Sequence, residues 1–266
     1  MVRFLHISDT HLHTDPEYIL YGHHVRHNVA ALIDTLNALP YPVDFVLHTG
    51  DVTDDAALES YQVTKALFAT LRLPIYYLSG NHDHAPTLQR ELLGIDQPID
   101  RYDYSFTIGD VQFIALDSFG LRQPGGYLTD TQLANLRRVC TPDGGPIAIF
   151  VHHQPLPLRV PWLDEITSMP SEMLISNHAE FWDAIRPAAS RLRGVFYGHI
   201  HRSSQTVRGG VLFSSAPSAV AQLKTWPEQR TPEPAAEEAA GYCLVTIEDD
   251  RTIVQQYSFA RPAGES

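Results

Sequence analysis

The apolar residues of this chain fall into short dense runs, and each run ends in a cluster of polar, chemically versatile residues. Phe4 to Ser8, Phe45 to Thr49, Ile75 to Ser79, Ile147 to Val151 and Val195 to Tyr197 are of strand length and read as buried β-strands. Other segments space their apolar positions at helical intervals. From about Asn28 to Leu39, Val29, Leu32, Ile33, Leu36 and Leu39 share one face, and Pro40 stops the helix. A second amphipathic helix is predicted from about Ala56 to Leu71, burying Leu58, Tyr61, Leu67, Phe68 and Leu71. Further helices are predicted from near Thr129 to Cys140 and from about Asn177 to Ile185, before Pro187. Three hairpins follow from turn dipeptides between apolar runs: Tyr102–Ile108 with Val111–Asp117, Gln205–Arg208 with Val211–Ser215, and Tyr242–Ile247 with Thr252–Phe259.

Early βα units together with these antiparallel pairs predict an α/β fold of two mixed sheets stacked on each other, with helices outside. Residues 155–176 mix prolines with Trp162, Leu163, Met169 and Met173, and read as a loop or short insertion able to overhang a site. Residues 224–240, rich in Pro, Glu and Ala, read as a long and mobile surface loop or a dimer arm. Sheet-forming sequence resumes after both, so neither reads as a linker, and residues 1–266 are expected to form one domain.

The polar clusters behind the strands are Asp9-Thr10-His11, Gly50-Asp51, Gly80-Asn81-His82-Asp83, His152-His153 and Gly198-His199-Ile200-His201. In an α/β sheet the loops beyond the strand ends form the ligand crevice, so groups far apart in sequence can converge there. Each cluster offers a carboxylate, an amide oxygen or an imidazole. Such a set without thiolates suits Mn, Fe, Co or Zn. Two divalent ions about 3.5–4 Å apart can clamp a phosphoryl group, and an aspartate with two oxygens is the natural bridge between them. A lone Asp-x-His or Gly-Asp is more often an ordinary loop, but all the clusters in strand–loop order are an improbable coincidence.

This ordered set resembles the calcineurin-like metallophosphoesterase superfamily, and within it the bacterial class III cyclic-nucleotide phosphodiesterases and related glycerophosphodiesterases. Their shared pattern, DxH, GD, GNHD, a histidine at a strand end and GHxH, runs here from Asp9 to His201. The resemblance implies an αββα sandwich, in agreement with the elements above. It also implies a first metal held by Asp9, His11, bridging Asp51 and His201, and a second held by Asp51, Asn81, His152 and His199. His82 falls on the family's catalytic or substrate-orienting histidine, with Asp83 as a partner that orients the region. The implied reaction is in-line attack on the phosphorus of a small diester, a cyclic nucleotide or a glycerophosphodiester, by a metal-activated hydroxide. Purple acid phosphatases carry a tyrosine ligand three residues beyond the bridging aspartate. Asp54 stands there in this chain. Ser/Thr protein phosphatases continue the GD element differently from Asp51-Val52-Thr53-Asp54-Asp55. Relatives often have a second proline where this chain has Gln154.

The remaining chemistry adjusts this picture modestly. The formal net charge is -12, which disfavours binding to a nucleic-acid polymer. No apolar run approaches the roughly 20 residues of a membrane span, and the first strand begins almost at once, so a cytoplasmic protein without a secretory signal is expected. Cys140 and Cys243 share no motif, which argues against a disulfide framework. Of the 14 histidines, His6 and His48 read as core or supporting residues. His13, His23, His24, His27 and His178 read as rim or surface residues, His84 as a residue of the substrate side, and His153 divides evenly between ligand neighbour and functional group. Trp162 reads as loop packing rather than a base platform. The alternatives are a phosphomonoesterase of the same fold and, behind it, a non-catalytic scaffold. A homo-oligomer is compatible with either.

Overall fold

The computed structural model describes residues 1–165 and 173–260. Met169, named above, lies outside them. The strands are β1 (Val2–Ile7), β2 (Ile19–Leu20), β3 (His23–His24), β4 (Phe45–His48), β5 (Ile75–Tyr77), β6 (Tyr104–Ile108), β7 (Val111–Ala115), β8 (Ile147–Phe150), β9 (Leu192–Tyr197), β10 (Ser204–Arg208), β11 (Val211–Ser215), β12 (Gly241–Glu248) and β13 (Arg251–Ser258). The α-helices are α1 (Val25–Asn37), α2 (Leu58–Phe68), α3 (Ala85–Leu93), α4 (Asp130–Val139), α5 (Pro161–Asp164) and α6 (His178–Ile185).

Two mixed sheets result. One has the order β13-β12-β1-β4-β5, the other β10-β11-β9-β8-β7-β6. Strands β1, β4 and β5 run parallel in the first, as do β7, β8, β9 and β11 in the second. Every polar cluster leaves the carboxyl end of one of these parallel strands, which is why the clusters can meet.

Strand pleating sorts the side chains into layers. Phe4, Phe45 and Val245 from the first sheet meet Phe113, Phe150 and Phe196 from the second in one buried cluster between the sheets. Phe4 stacks on Phe45 at 5.0 Å and meets Phe196 edge-on at 5.2 Å. Leu5, Ile7 and Val46 point the other way, into Val29, Leu32 and Leu36 of α1. Ile147 and Ile149 point away from the first sheet, onto Leu133 and Leu136 of α4 and Phe181 of α6. The layering is helix, sheet, sheet, helix.

Differences from the sequence reading concentrate where patterns are short. Helix α1 starts three residues early, because Val25 joins its buried face. Helix α3 was not anticipated: its first turn holds Pro86 and only Ala85, Leu88 and Gln89 are buried, too few for a clear helical stripe. The two-residue strands β2 and β3, joined by Tyr21-Gly22 with both residues at positive φ, are too brief for alternation to show. Residues 224–240 form a long loop without helix or strand, as expected, with hydrogen bonds to their surroundings. The backbone of Lys224 donates to Glu233, Ala235 donates to Gln222, and the Trp162 indole donates to the Lys224 carbonyl at 3.3 Å. Among the described residues no helix is long and apolar enough to cross a membrane.

Helix α4 carries a complete capping box: Gln132 N–H donates to Thr129 Oγ1 at 3.2 Å, and Thr129 N–H donates to Gln132 Oε1 at 2.8 Å. Thr129→Ala is expected to lower unfolding stability by about 1 kcal/mol in urea titrations, with the slope unchanged.

Candidate metal centre

The loops behind β1 and β4 run side by side. Asp9 N–H donates to the Gly50 carbonyl, His11 N–H to Asp51 and Leu12 N–H to Val52, each at 3.0 Å. Along this seam the backbone turns sharply. Asp9, His11 and Asp51 have φ of 54°, 46° and 51°, and His199 and His201 behind β9 have 70° and 48°. Five candidate ligands therefore occupy the left-handed region, at a cost on the order of 1–3 kcal/mol each. That conformation turns successive side chains into one small volume instead of along a strand.

Glycines let the loops approach. A Cβ on Gly80 would overlap the Asp51 carboxylate and backbone, and a Cβ on Gly198 would overlap the Ser8 hydroxyl. Asp83 clamps the second loop to the third. Its buried carboxylate accepts from the N–H groups of Val52, Thr53 and Gly80 at 3.0, 3.1 and 2.9 Å and from the Tyr61 hydroxyl at 3.1 Å. Asp83 thus supports the site from beneath, in line with the orienting role read from the motif.

The seven candidate ligands converge. Asp9, His11 and His201 form one buried group, and Asp9, Asp51 and His152 another, with their donor atoms within 4.8 Å of one another. Asp51 Oδ2 faces both sides, 3.4 Å from His152 Nε2 and 3.8 Å from His11 Nε2. Asn81 Oδ1 lies 3.1 Å from His152 Nε2. The His199 ring lies 4.9 Å from that of His152, and its Nε2 is buried without a hydrogen-bond partner. His199 N–H donates to both Asp9 oxygens at 3.0 and 3.1 Å.

Tautomers decide what these atoms can hold. His11 Nδ1 donates to Asp54 Oδ1 at 3.0 Å, and His201 Nδ1 donates to the Ala221 carbonyl at 3.0 Å. Both Nε2 atoms are then left with lone pairs, and they face each other at 3.0 Å. His152 Nδ1 donates to the Thr49 carbonyl at 2.7 Å, so its Nε2 lone pair faces the oxygens of Asn81 and Asp51. Acceptors facing acceptors in a buried site repel unless a proton or a metal cation stands between them. The donor set therefore fits divalent metal, and the carbonyl and carboxylate partners of the outer nitrogens are the kind that orient imidazole ligands. Burial works against charge on Asp51, yet the neighbouring His152 imidazole holds its carboxyl well below the usual range. Burial likewise works against charge on His152, but Asp51 pushes it up to about 9, so without metal a proton on Nε2 stands where a cation would, and a bound metal displaces it.

His82 stands at the edge of this group. Its N–H donates to Asp51 Oδ1 at 2.9 Å, and its Nδ1 donates to the Asp54 carbonyl at 2.7 Å. The side chain is 41% exposed and its ring lies 4.8 Å from that of His11. His153 is fully buried beside His152 and His199, with Nδ1 accepting from the Ser118 hydroxyl at 2.8 Å. His84 Nδ1 lies 2.8 Å from the Thr87 hydroxyl in the first turn of α3. Trp162 packs in the core beneath the second sheet, as expected of loop packing.

The sequence reading weighed Asp54 only as a departure from another branch, and Tyr18 and Tyr21 not at all. Asp54 accepts from His11 and, at 2.6 Å, from the Tyr18 hydroxyl. Tyr21 lines the cleft over the site, a space of about 220 Å³, with Leu20, Pro124, Met173 and Leu223. No motif marks these residues; the short β2–β3 hairpin brings Leu20 and Tyr21 over the cleft.

Residues 2–203 match the calcineurin-like phosphoesterases. The chain belongs to that family. The family uses divalent metals, and this phosphoesterase has buried histidine–aspartate groups suited to them. It is similar to the 3′,5′-cyclic adenosine monophosphate phosphodiesterase CpdA of Pseudomonas aeruginosa, 29% identical over 250 residues, 94% of this chain and 86% of that one. It is also similar to the glycerophosphodiester phosphodiesterase GpdQ of Enterobacter lignolyticus, 27% identical over 266 residues, 97% and 92% of the two chains. A dimetal phosphatase from Danio rerio shares the fold, with a TM-score of 0.68 at 14% identity over 97% of this chain and 96% of that one.

Mn²⁺ at a hundred times its dissociation constant is expected to stabilise the protein by about 2.7 kcal/mol, read as a rise in melting temperature. In Gly80→Ala the shift should vanish, because the added methyl displaces Asp51. A wild-type melting temperature indifferent to every divalent metal tested would contradict the fit.

Proposed function

We propose that this phosphoesterase is a binuclear metal-dependent phosphodiesterase acting on a small diester, with Asp51 bridging two divalent ions. One ion would be held by Asp9, His11, Asp51 and His201, the other by Asp51, Asn81, His152 and His199. The observation that carries this reading is the set of opposed lone pairs just described, centred on a carboxylate that faces both groups. Bound there, such ions supply Lewis acidity toward phosphoryl oxygens and acidify water.

The protein's own residues do the rest. Asn81 contributes oxygen without charge, which keeps the pocket less repulsive to an anion. His82 donates from Nδ1 to the Asp54 carbonyl, and this contact holds the ring at the cleft wall with Nε2 free for a substrate oxygen. Protonated at Nε2, it would deliver a proton to the departing alkoxide. Asp54 holds His11 through its carboxylate and His82 through its carbonyl, so one residue sets the orientation of both.

The cleft favours a diester. Among the described residues its lining contains no Lys or Arg, only histidines, aspartates, Asn81 and the apolar residues Leu20, Pro124, Met173 and Leu223 with Tyr21. A monoester dianion would gain its binding mostly in the ground state, from the metals, and ground-state binding does not speed the chemical step. A diester monoanion loses less to the surrounding carboxylates, and its second alcohol group finds an apolar wall. The net charge of -12 works against a polynucleotide. We place the activity in the cytoplasm, and its substrate among the cyclic nucleotides and glycerophosphodiesters that the names of the similar CpdA and GpdQ proteins carry.

His82→Ala is expected to keep its metal by elemental analysis and lose about 10²–10⁴-fold in turnover on a diester with a poor leaving group. The loss should shrink for a nitrophenyl diester, whose alcohol departs without a proton. Unchanged turnover on the poor leaving group would remove His82 from the chemistry. For the wild type, kcat/KM on a matched nitrophenyl diester should exceed that on the monoester; the reverse preference would make the enzyme a phosphomonoesterase.

A further inference from the structure

Two buried histidines take no part in the scheme above. His6 lies on β1 and reaches the loop behind β4, with Nε2 3.0 Å from Thr49 Oγ1. His48 lies on β4 and reaches the loop behind β1, with Nε2 2.9 Å from Thr10 Oγ1. The arrangement is reciprocal, and it uses both faces of the sheet. The His6 ring meets Phe196 of the inter-sheet layer at 5.8 Å, while the His48 ring meets Phe68 at the end of α2 at 6.2 Å.

We propose that His6 and His48 are positioning residues, a crossed pair of histidine–threonine braces that hold the loops bearing Asp9, His11 and Asp51 in their left-handed backbone. The inference rests on the metal-dependent reading above, because those three residues matter only if they hold metal.

The hydrogen bonds around His48 have a single consistent direction. The Thr10 hydroxyl donates to the Val52 carbonyl at 2.9 Å, so it accepts from His48 Nε2–H. His48 Nδ1 then carries the lone pair and accepts the Gly50 N–H at 3.3 Å. The brace therefore joins three points: the middle of Asp9-Thr10-His11, the glycine before Asp51, and Val52 after it. On the other face, the Thr49 hydroxyl donates to Ser8 Oγ at 2.8 Å and accepts from His6 Nε2–H. The Thr49 carbonyl in turn holds His152 Nδ1 at 2.7 Å, so this brace also touches the mounting of a fourth ligand.

Burial pushes both imidazoles down to about 3, so they stay neutral and keep one donor and one acceptor each. A neutral imidazole can brace the metal loops without adding positive charge beside them. Left-handed residues persist only where surrounding contacts over-determine them. The backbone bonds of the seam restrain the loops along the strand direction, and the two imidazoles restrain them from the faces.

The test is calorimetric titration of metal-free protein with Mn²⁺, alongside diester turnover. His48→Phe keeps the ring volume and removes both hydrogen bonds. Thr10→Val keeps the shape and removes the hydroxyl. Each should weaken Mn²⁺ binding about 10–100-fold, the range for partners that orient metal ligands. The double variant should bind no more weakly than either single one, since both remove the same brace. Thr10→Ser should restore most of the affinity, which a purely steric role for the threonine methyl would not permit. Should His48→Phe fold poorly, the contrast between Thr10→Val and Thr10→Ser still decides. Wild-type affinity in the single variants, losses that multiply in the double, or a serine variant as weak as the valine would each overturn the braces. A wild-type protein that takes up no Mn²⁺ would overturn the metal reading together with them, and is distinguished by that result alone.

Discussion

The site depends on one seam, where the loops behind β1 and β4 lie parallel and hydrogen-bonded with their residues in left-handed backbone. Regular strands would send successive side chains to opposite faces of the sheet. The left-handed turns at Asp9, His11 and Asp51 instead gather three candidate ligands on one side. Such a conformation is intrinsically unfavourable for residues with a Cβ. It is maintained by what surrounds it: the parallel pairing, the Asp83 clamp, the histidine–threonine braces and glycines that let the chains close up. Stability spent on strain here is recovered in the aromatic layer between the sheets, where Phe4 packs on both the neighbouring strand and the facing sheet.

The same preorganisation explains why the polar interior is suited to cations. Outer nitrogens of His11, His152 and His201 are committed to Asp54, Thr49 and Ala221, which leaves the inner nitrogens as acceptors pointing at other acceptors. A site built on hydrogen bonds alone would pair these groups with donors. Here the fold commits the donors elsewhere, and the unmatched lone pairs define where positive charge belongs. The calcineurin-like phosphoesterase family supplies that charge with divalent metals.

Above the metal side, the short β2–β3 hairpin and the segments that contribute Met173 and Leu223 form a wall whose character differs from the floor. The floor is acidic and histidine-rich; the wall is apolar apart from Tyr21. Residues 224–240 follow Leu223 of this wall and are hydrogen-bonded to Trp162 and Gln222.

Much of this was legible in the sequence, for a physical reason. Buried strands must be apolar, and a polar cluster following one has few places to go but the sheet's carboxyl edge; Phe4 to Ser8 followed by Asp9-Thr10-His11 shows both features within eight residues. Hence the two stacked mixed sheets and the convergence of the five polar clusters could be anticipated, while the choice of Asp9, His11, Asp51, Asn81, His152, His199 and His201 within them, with His82 beside, came from the resemblance to the calcineurin-like family. The sequence could not place contacts that depend on strand order and side-chain reach. Asp54 meets Tyr18 across 36 residues, and His48 meets Thr10 across 38, in each case because β1 and β4 are neighbours in the sheet. Helix α3 and the β2–β3 hairpin were missed since their patterns are too short to rise above chance. Composition and periodicity thus decided which groups arrive at the sheet edge. Tertiary structure decided which nitrogen of each imidazole faces inward, because that choice belongs to partners brought in from other strands.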